Sequence, residues 1–267
     1  MNVLIAGGSG LLGSFLYEKL SSKGVNVKRI YRFNKGDFSI DYNIRGAAMP
    51  NLNIQYDAII NCAYDYHDRT LEESNVNLIM VKNLLAMAKG NQIPLFINIS
   101  SMSAYDGCKS NYGKVKLKIE EIVAGSGGYS FRLGLFESDT LVGLIKTIDK
   151  LSKLIPYFSI GVARLYLPQY ITNINKFSLF LMAFINDNDN YSDSVYSAVN
   201  SLPLDFNQIV YAVTKKPTLK IPLTLIHTII LFYELSPLPG IRFNSDSLNG
   251  LVFATDNPKN IIALESI

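Results

Sequence analysis

The stretch MNVLIAGGSGLLG (residues 1–13) joins a short apolar run to a glycine-rich turn. Gly7, Gly10 and Gly13 have the spacing G-x-x-G-x-x-G, with one more residue between the first two glycines than the G-x-G-x-x-G dinucleotide fingerprint. Gly7 permits a tight turn, Gly10 lets the backbone approach a pyrophosphate, and Gly13 lets the next helix pack closely on the strand. Because the turn follows a predicted strand and opens a predicted helix, whose N-terminus attracts phosphates, it predicts a dinucleotide site.

The segments that follow this turn alternate between strand and helix patterns. Apolar runs predict strands over residues 2–7, 25–32, 38–41, 56–63, 94–101 and 128–136. Helical patterns lie between them, over residues 11–24, 73–90 and 110–124. Helices of this length between strands imply right-handed crossovers and a parallel sheet that is covered on both faces. The sequence therefore predicts an α/β fold with a doubly wound parallel sheet of the Rossmann type.

The pattern changes after about residue 136. A strand leading into a helix is predicted over residues 167–187, another strand over 194–201, and helices over 204–216 and 221–235. We therefore expect a dinucleotide-binding Rossmann domain over residues 1–135 and a smaller substrate-binding lobe over 136–267, packed on the carboxyl ends of the strands. The boundary is approximate, and the pattern leaves open an arrangement in which the two parts interleave.

The composition excludes several classes of protein. The chain has 267 residues, of which 48% are hydrophobic and 18% charged, and this is an ordinary globular composition. The formal net charge is +3 and the basic residues are scattered, so no nucleic-acid surface is expected. Two cysteines without C-x-x-C spacing indicate reduced thiols and a cytoplasmic protein. The most apolar segment (residues 221–235) is shorter than the ~20 residues of a spanning helix, so no membrane insertion is expected.

No metal site is expected either. Asp65, His67 and Asp68 could be taken for a cluster of metal ligands. They lie just past the fourth predicted strand, next to the expected cofactor, and we interpret them as loop residues.

The end of the second predicted strand bears on the choice of dinucleotide. NAD enzymes usually place an acidic residue there for the ribose 2′-hydroxyl, whereas an arginine accommodates a 2′-phosphate. Here the segment reads IYRFNKGD, with Arg32 at or just past the strand end and no acid before Asp37. Arg29 and Lys35 add positive charge nearby. NADPH is therefore favoured, while NAD stays open because a surface arginine without a ligand explains the same pattern.

Ser101, Tyr112 and Lys116 form the candidate catalytic set. Tyr112 and Lys116 are one helical turn apart, so both lie on one helix face and the ammonium comes close to the phenol. A tyrosine with an ordinary pKa of roughly 10 needs such electrostatic help to exchange protons near neutral pH. Ser101 ends the fifth predicted strand and can donate a hydrogen bond to a substrate oxygen. The three residues together predict proton donation during hydride transfer to a carbonyl group.

Several motifs, in this order, resemble those of the extended short-chain dehydrogenase/reductases, in particular the enzymes that act on nucleotide sugars. The motifs are AGGSGLLG (6–13), INCA (60–63), NVNLIMVKNLL (75–85), INISSMSAY (97–105), YGKVKLKIE (112–120) and SFRLGLF (130–136). The segment after residue 194 is similar to the family's substrate cap. The resemblance implies that Asn77 supports the lysine through a water molecule. It also implies a homodimer, in which helices at 73–89 and 110–124 pair across a two-fold axis.

The resemblance completes the set of expected site residues. The expected catalytic residues are Ser101, Tyr112, Lys116 and Asn77. The expected cofactor-binding residues are Gly7, Ser9, Gly10, Leu11, Leu12, Gly13, Arg32, Asp41, Tyr42, Cys62, Ala63, Tyr64, Tyr112 and Lys116. Ser101, Met102, Ser103 and Tyr112 are expected to contact the substrate.

The resemblance implies an NAD(P)-dependent oxidoreductase. We favour a 4-ketoreductase that transfers hydride from NADPH to C4 of a nucleotide-linked 4-keto-6-deoxy sugar, in a pathway such as polysaccharide biosynthesis. A dehydratase would normally have an acid/base pair beside the catalytic serine, and Met102 and Ser103 supply no carboxylate there. A nucleotide-sugar 4-epimerase with retained NAD is the alternative, because it uses the same three residues. A non-catalytic dinucleotide-binding module is the alternative of another class.

Overall fold

The computed structural model describes residues 1–31, 38–39, 52–68, 70–137, 143–154, 157–163, 167–235, 246, 249–250, 258 and 260–267. The strands in this part of the chain are β1 (Asn2–Ala6), β2 (Asn26–Tyr31), β3 (Phe38–Ser39), β4 (Ala58–Asn61), β5 (Leu95–Ser101), β6 (Tyr129–Leu133), β7 (Leu135–Glu137), β8 (Ser159–Val162), β9 (Pro168–Gln169), β10 (Ile171–Asn173), β11 (Val195–Val199), β12 (Leu204–Asp205), β13 (Thr218–Ile221) and β14 (Ile261–Ala263). The helices are α1 (Leu11–Ser22), α2 (Val76–Gly90), α3 (Asn111–Ala124), α4 (Gly143–Leu154), α5 (Ile174–Asn186), α6 (Phe206–Thr214) and α7 (Leu223–Leu235), and a 3-10 turn covers Leu264–Ser266.

Eight of these strands form one sheet in the order β14-β11-β6-β5-β4-β1-β2-β3. Every pairing in it is parallel. β1 pairs with β2 on one side and with β4 on the other, so the strand order reverses between β1 and β4. In open α/β sheets, the crevice at the carboxyl ends of such neighbours is where ligands bind. The doubly wound Rossmann fold that the sequence predicts is confirmed.

Helices cover both faces of this sheet. On one face, α1 and α5 bury Leu16, Leu20 and the phenylalanines of α5 against the apolar side chains of β1, β4, β5 and β6. On the other face, α2 and α3 bury residues such as Leu84, Val115 and Ile119 against Leu4 and Ile59. Burying both faces of a parallel sheet explains why its strands read as nearly continuous apolar runs.

The sixth predicted strand (residues 128–136) is two strands in the structure. β6 belongs to the main sheet, whereas β7 pairs with β10 in a separate two-stranded sheet. Gly134 lies between them, and a Cβ there would lie 2.1 Å from the carbonyl oxygen of Tyr170. Its amide N–H donates to the Thr172 hydroxyl at 2.8 Å. The prediction of one continuous strand was therefore wrong, because the chain changes partners at this glycine.

The main sheet takes strands from both sides of residue 135. β11 pairs with β6, and β14 pairs with β11, so two strands from the last third of the chain extend the sheet. Other residues after position 135 form a smaller cluster, in which Val162, Leu167, Phe206, Val210 and Ile230 are buried together. One sheet thus takes strands from both sides of residue 135, and the division into a dinucleotide-binding domain and a substrate-binding lobe stays a prediction.

None of the helices within the described residues combines the length and the apolar character needed to cross a membrane.

A buried ion pair joins α3 to the sheet. The Arg132 guanidinium on β6 donates to both carboxylate oxygens of Glu120 on α3, at 2.9 and 2.6 Å. The Ser100 hydroxyl donates to the same carboxylate at 2.5 Å. Glu120 is 3% exposed and Arg132 9%. This pair fixes α3 against β5 and β6, one turn beyond Lys116.

We expect Arg132→Met to destabilise the protein by about 3–5 kcal/mol, because it leaves the Glu120 carboxylate buried without a cation. The free energy of unfolding is measured by urea denaturation followed by circular dichroism. Lys82→Met is the matched control, since Lys82 pairs with Glu73 at 2.6 Å on the surface and such exposed pairs contribute about 0–1 kcal/mol. A loss below about 1 kcal/mol in Arg132→Met would contradict the stabilising role of the buried pair.

Candidate active site

The glycine turn lies against the end of β4. A Cβ on Gly7 would lie 2.6 Å from both the amide nitrogen and the Cα of Ala63, and the φ of Gly7 is +75°. A Cβ on Gly13 would lie 2.2 Å from the Gly7 carbonyl oxygen. Both contacts exclude any side chain, so the first and third glycines are required by close backbone packing. The structure thus brings together the two segments expected to bind the cofactor, residues 6–13 and 60–63.

The start of α1 fits a phosphate group. Gly10 is the N-cap residue, no side chain caps the helix, and its first turn contains no acidic residue. Ser9, Gly10 and Leu11 are exposed at this end. An uncapped helix N-terminus offers backbone N–H donors and a positive dipole to an anion. Among the residues present, this turn would hold the diphosphate of a dinucleotide.

Ser101 and Tyr112 meet at the carboxyl end of the sheet. The Ser101 hydroxyl, at the end of β5, is close enough to the Tyr112 phenol, in the first turn of α3, to act on its pKa. The helix approaches this closely because the residue after the tyrosine is Gly113, where a Cβ would lie 2.2 Å from the Ser103 carbonyl oxygen. Ser110 caps the helix, and its hydroxyl accepts from the Gly113 amide N–H at 3.0 Å.

The pKa of Tyr112 is raised well above its ordinary value. The largest cause is burial, followed by the nearby phenols of Tyr66 and Tyr64, while the hydrogen bond from Ser101 acts in the opposite direction. The expected lowering of this pKa by Lys116 is not found, since Lys116 is not among the groups that shift it. Tyr112 therefore keeps its proton at neutral pH, which suits a proton donor.

Lys116 is a buried ammonium one helical turn after this tyrosine. It is 4% exposed. Its Nζ lies 6.0 Å from the Tyr112 ring centroid and 4.9 Å from the Tyr64 ring centroid. It donates to the Ile99 carbonyl oxygen at 2.8 Å, its single hydrogen bond to the described residues. An ammonium has three donors, so two remain for ligand hydroxyl groups.

Burial has opposite effects on the pKa values of Lys116 and Cys62. It lowers the pKa of Lys116 from 10.5 to about 8, against the smaller opposing effects of Cys62 and Glu120. Burial raises the pKa of Cys62, just after β4, to about 12, although Lys116 acts to lower it. Cys62 is therefore a neutral thiol near the lysine, and the lysine carries the positive charge of this part of the site.

Asn77 is fully buried on α2 and holds the segment after β4. Its amide oxygen accepts from the Asp65 N–H at 2.6 Å, and its amide nitrogen donates to the Asp65 carbonyl oxygen at 3.1 Å. The described contacts of this side chain therefore go to the backbone at Asp65. The support of Lys116 by Asn77 through a water molecule stays a prediction.

Tyr66 is a site residue that the sequence analysis missed. Its ring stacks on the Tyr112 ring, with centroids 5.9 Å apart and planes 14° apart. The ring of Tyr64 contacts both rings edge-on, at centroid distances of 4.9 Å. The position of Tyr66 just past β4, at the same sheet edge as Ser101, was the signal that pointed to it.

Asp246 is a second residue that was missed. Its carboxylate oxygens accept from the backbone N–H groups of Asn111 and Tyr112, at 2.6 and 3.1 Å. An anion at a helix N-terminus stabilises the helix through its dipole. Because Asp246 is 134 residues from Tyr112 in the chain, no local pattern could have indicated this contact.

The expected substrate residues next to Ser101 differ in orientation. The Met102 side chain is buried with Tyr170 and Val199, away from the surface around Ser101. Ser103 is partly buried; its N–H donates to the Ser101 hydroxyl oxygen at 3.2 Å, and its hydroxyl donates to the Gly250 carbonyl oxygen at 3.1 Å. Of these two residues, Ser103 is therefore the one whose side chain contacts Gly250.

Three expected cofactor residues, Arg32, Asp41 and Tyr42, lie outside the described residues. Arg29 lies within them, on β2. Its side chain lies against Gly8, with Cζ 4.0 Å from the Tyr17 ring centroid and 5.3 Å from that of Tyr31. A guanidinium therefore lies beside the glycine turn.

The carboxylates after β4 bond to backbone N–H groups. Asp65 accepts from the His67 N–H at 2.9 Å. Asp68 accepts from the Thr70 N–H at 3.0 Å and from the Val76 N–H, at the start of α2, at 2.7 Å. These bonds organise the loop and the helix start.

We expect Gly113→Ala to destabilise the protein where α3 packs against the Ser101 segment. The new methyl group would clash with the Ser103 carbonyl oxygen, so α3 must move away from the Ser101 segment. Overpacking of this kind costs about 1–3 kcal/mol. Urea denaturation measures this cost, and Gly125→Ala is the matched control, because a Cβ there meets its nearest atom at 3.4 Å. Equal stability of the two variants would contradict the close packing at Gly113.

Lys116 should make the free energy of unfolding depend on pH. Its pKa is about 8 in the folded chain against an ordinary 10.5, so the unfolded chain holds more protons between these values. The unfolding free energy of the wild type, relative to Lys116→Met, should therefore rise by up to about 3 kcal/mol from pH 8 to pH 10.5. Urea denaturation at several pH values tests this, with Lys114→Met as the control on the same helix. A difference independent of pH would contradict the buried ammonium.

A protein-family model matches the N-terminal part of the chain. Residues 3–129 match the sequence model of the NAD dependent epimerase/dehydratase family. No curated protein matches the sequence. The matched range includes the glycine turn together with Ser101, Tyr112 and Lys116.

Solved structures share the fold at low sequence identity. UDP-N-acetylglucosamine 4-epimerase from Bacillus cereus is 14% identical with a TM-score of 0.61, over 83% of this chain and 88% of that chain. UDP-glucose 4-epimerase from Thermus thermophilus, solved with NAD, is 14% identical with a TM-score of 0.59, over 94% and 97%. An NAD dependent NDP-hexosamine 5,6-dehydratase of tunicamycin biosynthesis is 15% identical with a TM-score of 0.62, over 82% and 85%. The resemblance to this family is confirmed for residues 3–129, which match its sequence model.

Proposed function

We propose that the protein is an NADPH-dependent reductase of a nucleotide-linked 4-keto-6-deoxy sugar. The observation that carries this proposal is the meeting of Ser101, Tyr112 and Lys116 at the carboxyl ends of β4 and β5, beside the glycine turn. The three residues combine a hydroxyl donor, a phenol that keeps its proton and a buried ammonium. This set suits reduction of a carbonyl group, because the new alkoxide oxygen needs a proton.

Each residue then has a defined role. Ser101 and Tyr112 bind the carbonyl oxygen, and Tyr112 gives it a proton as negative charge develops there. Lys116 holds ligand hydroxyl groups with its two remaining donors and stabilises the phenolate of Tyr112. The glycine turn and the uncapped start of α1 hold the diphosphate. The dinucleotide, when bound, supplies the hydride.

One observation supports reduction with NADPH. The Arg29 guanidinium beside the glycine turn adds positive charge at the adenosine end of the expected site, which favours a 2′-phosphate. The absence of a carboxylate at Met102 and Ser103 weighs against dehydration.

A nucleotide-sugar 4-epimerase is the second candidate. It is favoured by the likeness in fold to 4-epimerases, one of them solved with NAD. An epimerase regenerates its cofactor in place, so tight retention of NAD is its expected signature. The expected homodimer and the binding of nucleotide sugar by the second lobe are part of both proposals.

The cofactor state of the purified protein distinguishes the two candidates. Native mass spectrometry detects a retained dinucleotide, and titration then compares the affinities for NADPH and NADH. For the reductase, we expect an unloaded protein that binds NADPH at least about tenfold more tightly, since tenfold corresponds to about 1.4 kcal/mol. Retained NAD would favour the epimerase, and no binding of either dinucleotide would contradict both.

Tyr112→Phe tests the proton donor. We expect it to lower the rate of NADPH oxidation with a 4-keto-6-deoxy nucleotide sugar by about 100-fold or more, the usual contribution of a general acid. Its dissociation constant for NADPH should change by less than about twofold, because the ring is retained. Tyr211→Phe, an exposed tyrosine of α6, is the control. Full activity of Tyr112→Phe would show that another group donates the proton.

A further inference from the structure

The backbone of Tyr112 is bonded to a carboxylate from a distant part of the chain. Asp246 accepts from the Asn111 N–H with one oxygen, at 2.6 Å, and from the Tyr112 N–H with the other, at 3.1 Å. Both donors belong to the first turn of α3, where backbone N–H groups have no partner within the helix. Asp246 therefore acts on the backbone of the residue that we propose as the proton donor.

The cap within the helix's own sequence binds other groups of this turn. The Ser110 hydroxyl accepts from the Gly113 N–H at 3.0 Å, and the Ser110 carbonyl oxygen accepts from the Lys114 N–H at 3.1 Å. Ser110 thus holds the residues after Tyr112, whereas Asp246 holds Tyr112 and the residue before it. The two groups together bind the N–H groups of the whole first turn.

Gly250 contacts the other side of the site. Its carbonyl oxygen accepts from the Ser103 hydroxyl at 3.1 Å, and the Ser103 N–H donates to the Ser101 hydroxyl oxygen at 3.2 Å. A Cβ on Gly250 would lie 3.3 Å from Ser103 Oγ and 3.7 Å from Ser110 Oγ. Asp246 and Gly250 therefore contact both segments that carry the proposed catalytic residues.

The position of Tyr112 matters because proton donation depends on geometry. The Tyr112 phenol and the Ser101 hydroxyl have to reach the same carbonyl oxygen, each within hydrogen-bond distance. A displacement of about 1 Å in such an arrangement can lower a rate by about 100-fold. Helix ends fray, and Tyr112 lies in the first turn of α3. A bond to its own N–H group is therefore a direct way to limit the displacement of its phenol.

We propose that Asp246 is a positioning residue for Tyr112, an inference that rests on the proposed reductase function. In this role the carboxylate touches neither the substrate nor the dinucleotide. It holds the first turn of α3 so that the Tyr112 phenol faces the oxygen that Ser101 binds. Asp246 belongs to the predicted substrate-binding lobe, so the part of the chain expected to bind the nucleotide sugar also fixes the proton donor.

Asp246→Asn tests this role, because it keeps the shape of the side chain and replaces one accepting oxygen with an amide group that donates. The kcat for reduction of a 4-keto-6-deoxy nucleotide sugar with NADPH should fall by about tenfold or more. KM and the dissociation constant for NADPH should change by less than about twofold, because Asp246 contacts neither ligand.

Asp205→Asn is the matched control. The two oxygens of the Asp205 carboxylate accept from the N–H groups of Leu167 and Asn207, at 2.8 and 3.1 Å, at the start of α6. This helix carries none of the proposed catalytic residues. Asp205→Asn therefore removes the same kind of contact at another helix start, and its kcat should stay within about twofold of the wild-type value.

Amide hydrogen exchange, followed by NMR, tests the contact without any substrate. In Asp246→Asn, the exchange rates of the Asn111 and Tyr112 amides should rise by about tenfold or more, because these groups lose their acceptor. The Gly113 amide, which is bonded to Ser110, should change by less than about threefold. Unchanged exchange at Tyr112 would overturn the proposal, since Asp246 would then not hold this residue.

The kinetic outcomes separate the positioning role from the function on which it rests. A wild-type kcat in Asp246→Asn, together with an inactive Tyr112→Phe, would overturn the role of Asp246 and leave the reductase standing. Equal losses of kcat in Asp246→Asn and Asp205→Asn would indicate general destabilisation, and a raised KM with an unchanged kcat would make Asp246 a substrate contact; either result overturns the proposal. A wild-type protein that oxidises no NADPH with any 4-keto nucleotide sugar would overturn the reductase and the positioning role together.

Discussion

The close backbone contact between Gly7 and the end of β4 is the constraint on which the site depends. β1 and β4 are neighbours in the sheet, and the strand order reverses between them, so the chain leaves their carboxyl ends in opposite directions. The turn after β1 can approach Ala63 only because Gly7 has no side chain. The same contact places the start of α1 next to the segment after β4, and that segment carries Cys62, Tyr64 and Tyr66.

A second feature is the way burial acts on the ionisable groups of the site. Taking Tyr112, Cys62 and Lys116 out of water disfavours the charged form of each, so burial raises the pKa values of the phenol and the thiol and lowers that of the ammonium. The outcome is a phenol that keeps its proton beside a lysine that is still largely charged at neutral pH. The ion pair between Glu120 and Arg132 fixes the helix that carries the tyrosine and the lysine.

Much of this arrangement could be predicted from local sequence. Gly7 and Gly13, the spacing of Tyr112 and Lys116, and the place of Ser101 at a strand end all follow from short-range patterns, and the structure brings these residues together. Shorter elements escaped prediction. β8, β13 and β14 have three or four residues each, which is too few to recognise the alternation of apolar and polar residues that marks a strand. The split between β6 and β7 was missed because the Tyr170 carbonyl that requires Gly134 lies 36 residues further along the chain.

The sequence by itself determined the order of strands and helices up to about residue 133, the glycine turn and the residue types of the site, because each depends on neighbours within one or two turns of the chain. Tertiary structure alone decided that β11 and β14 extend the main sheet, that Asp246 accepts the N–H groups at the start of α3, and that the Tyr66 ring stacks on that of Tyr112. These contacts join segments that are 46 to more than 130 residues apart. Which distant groups meet is set by how whole elements pack, and no local periodicity records it.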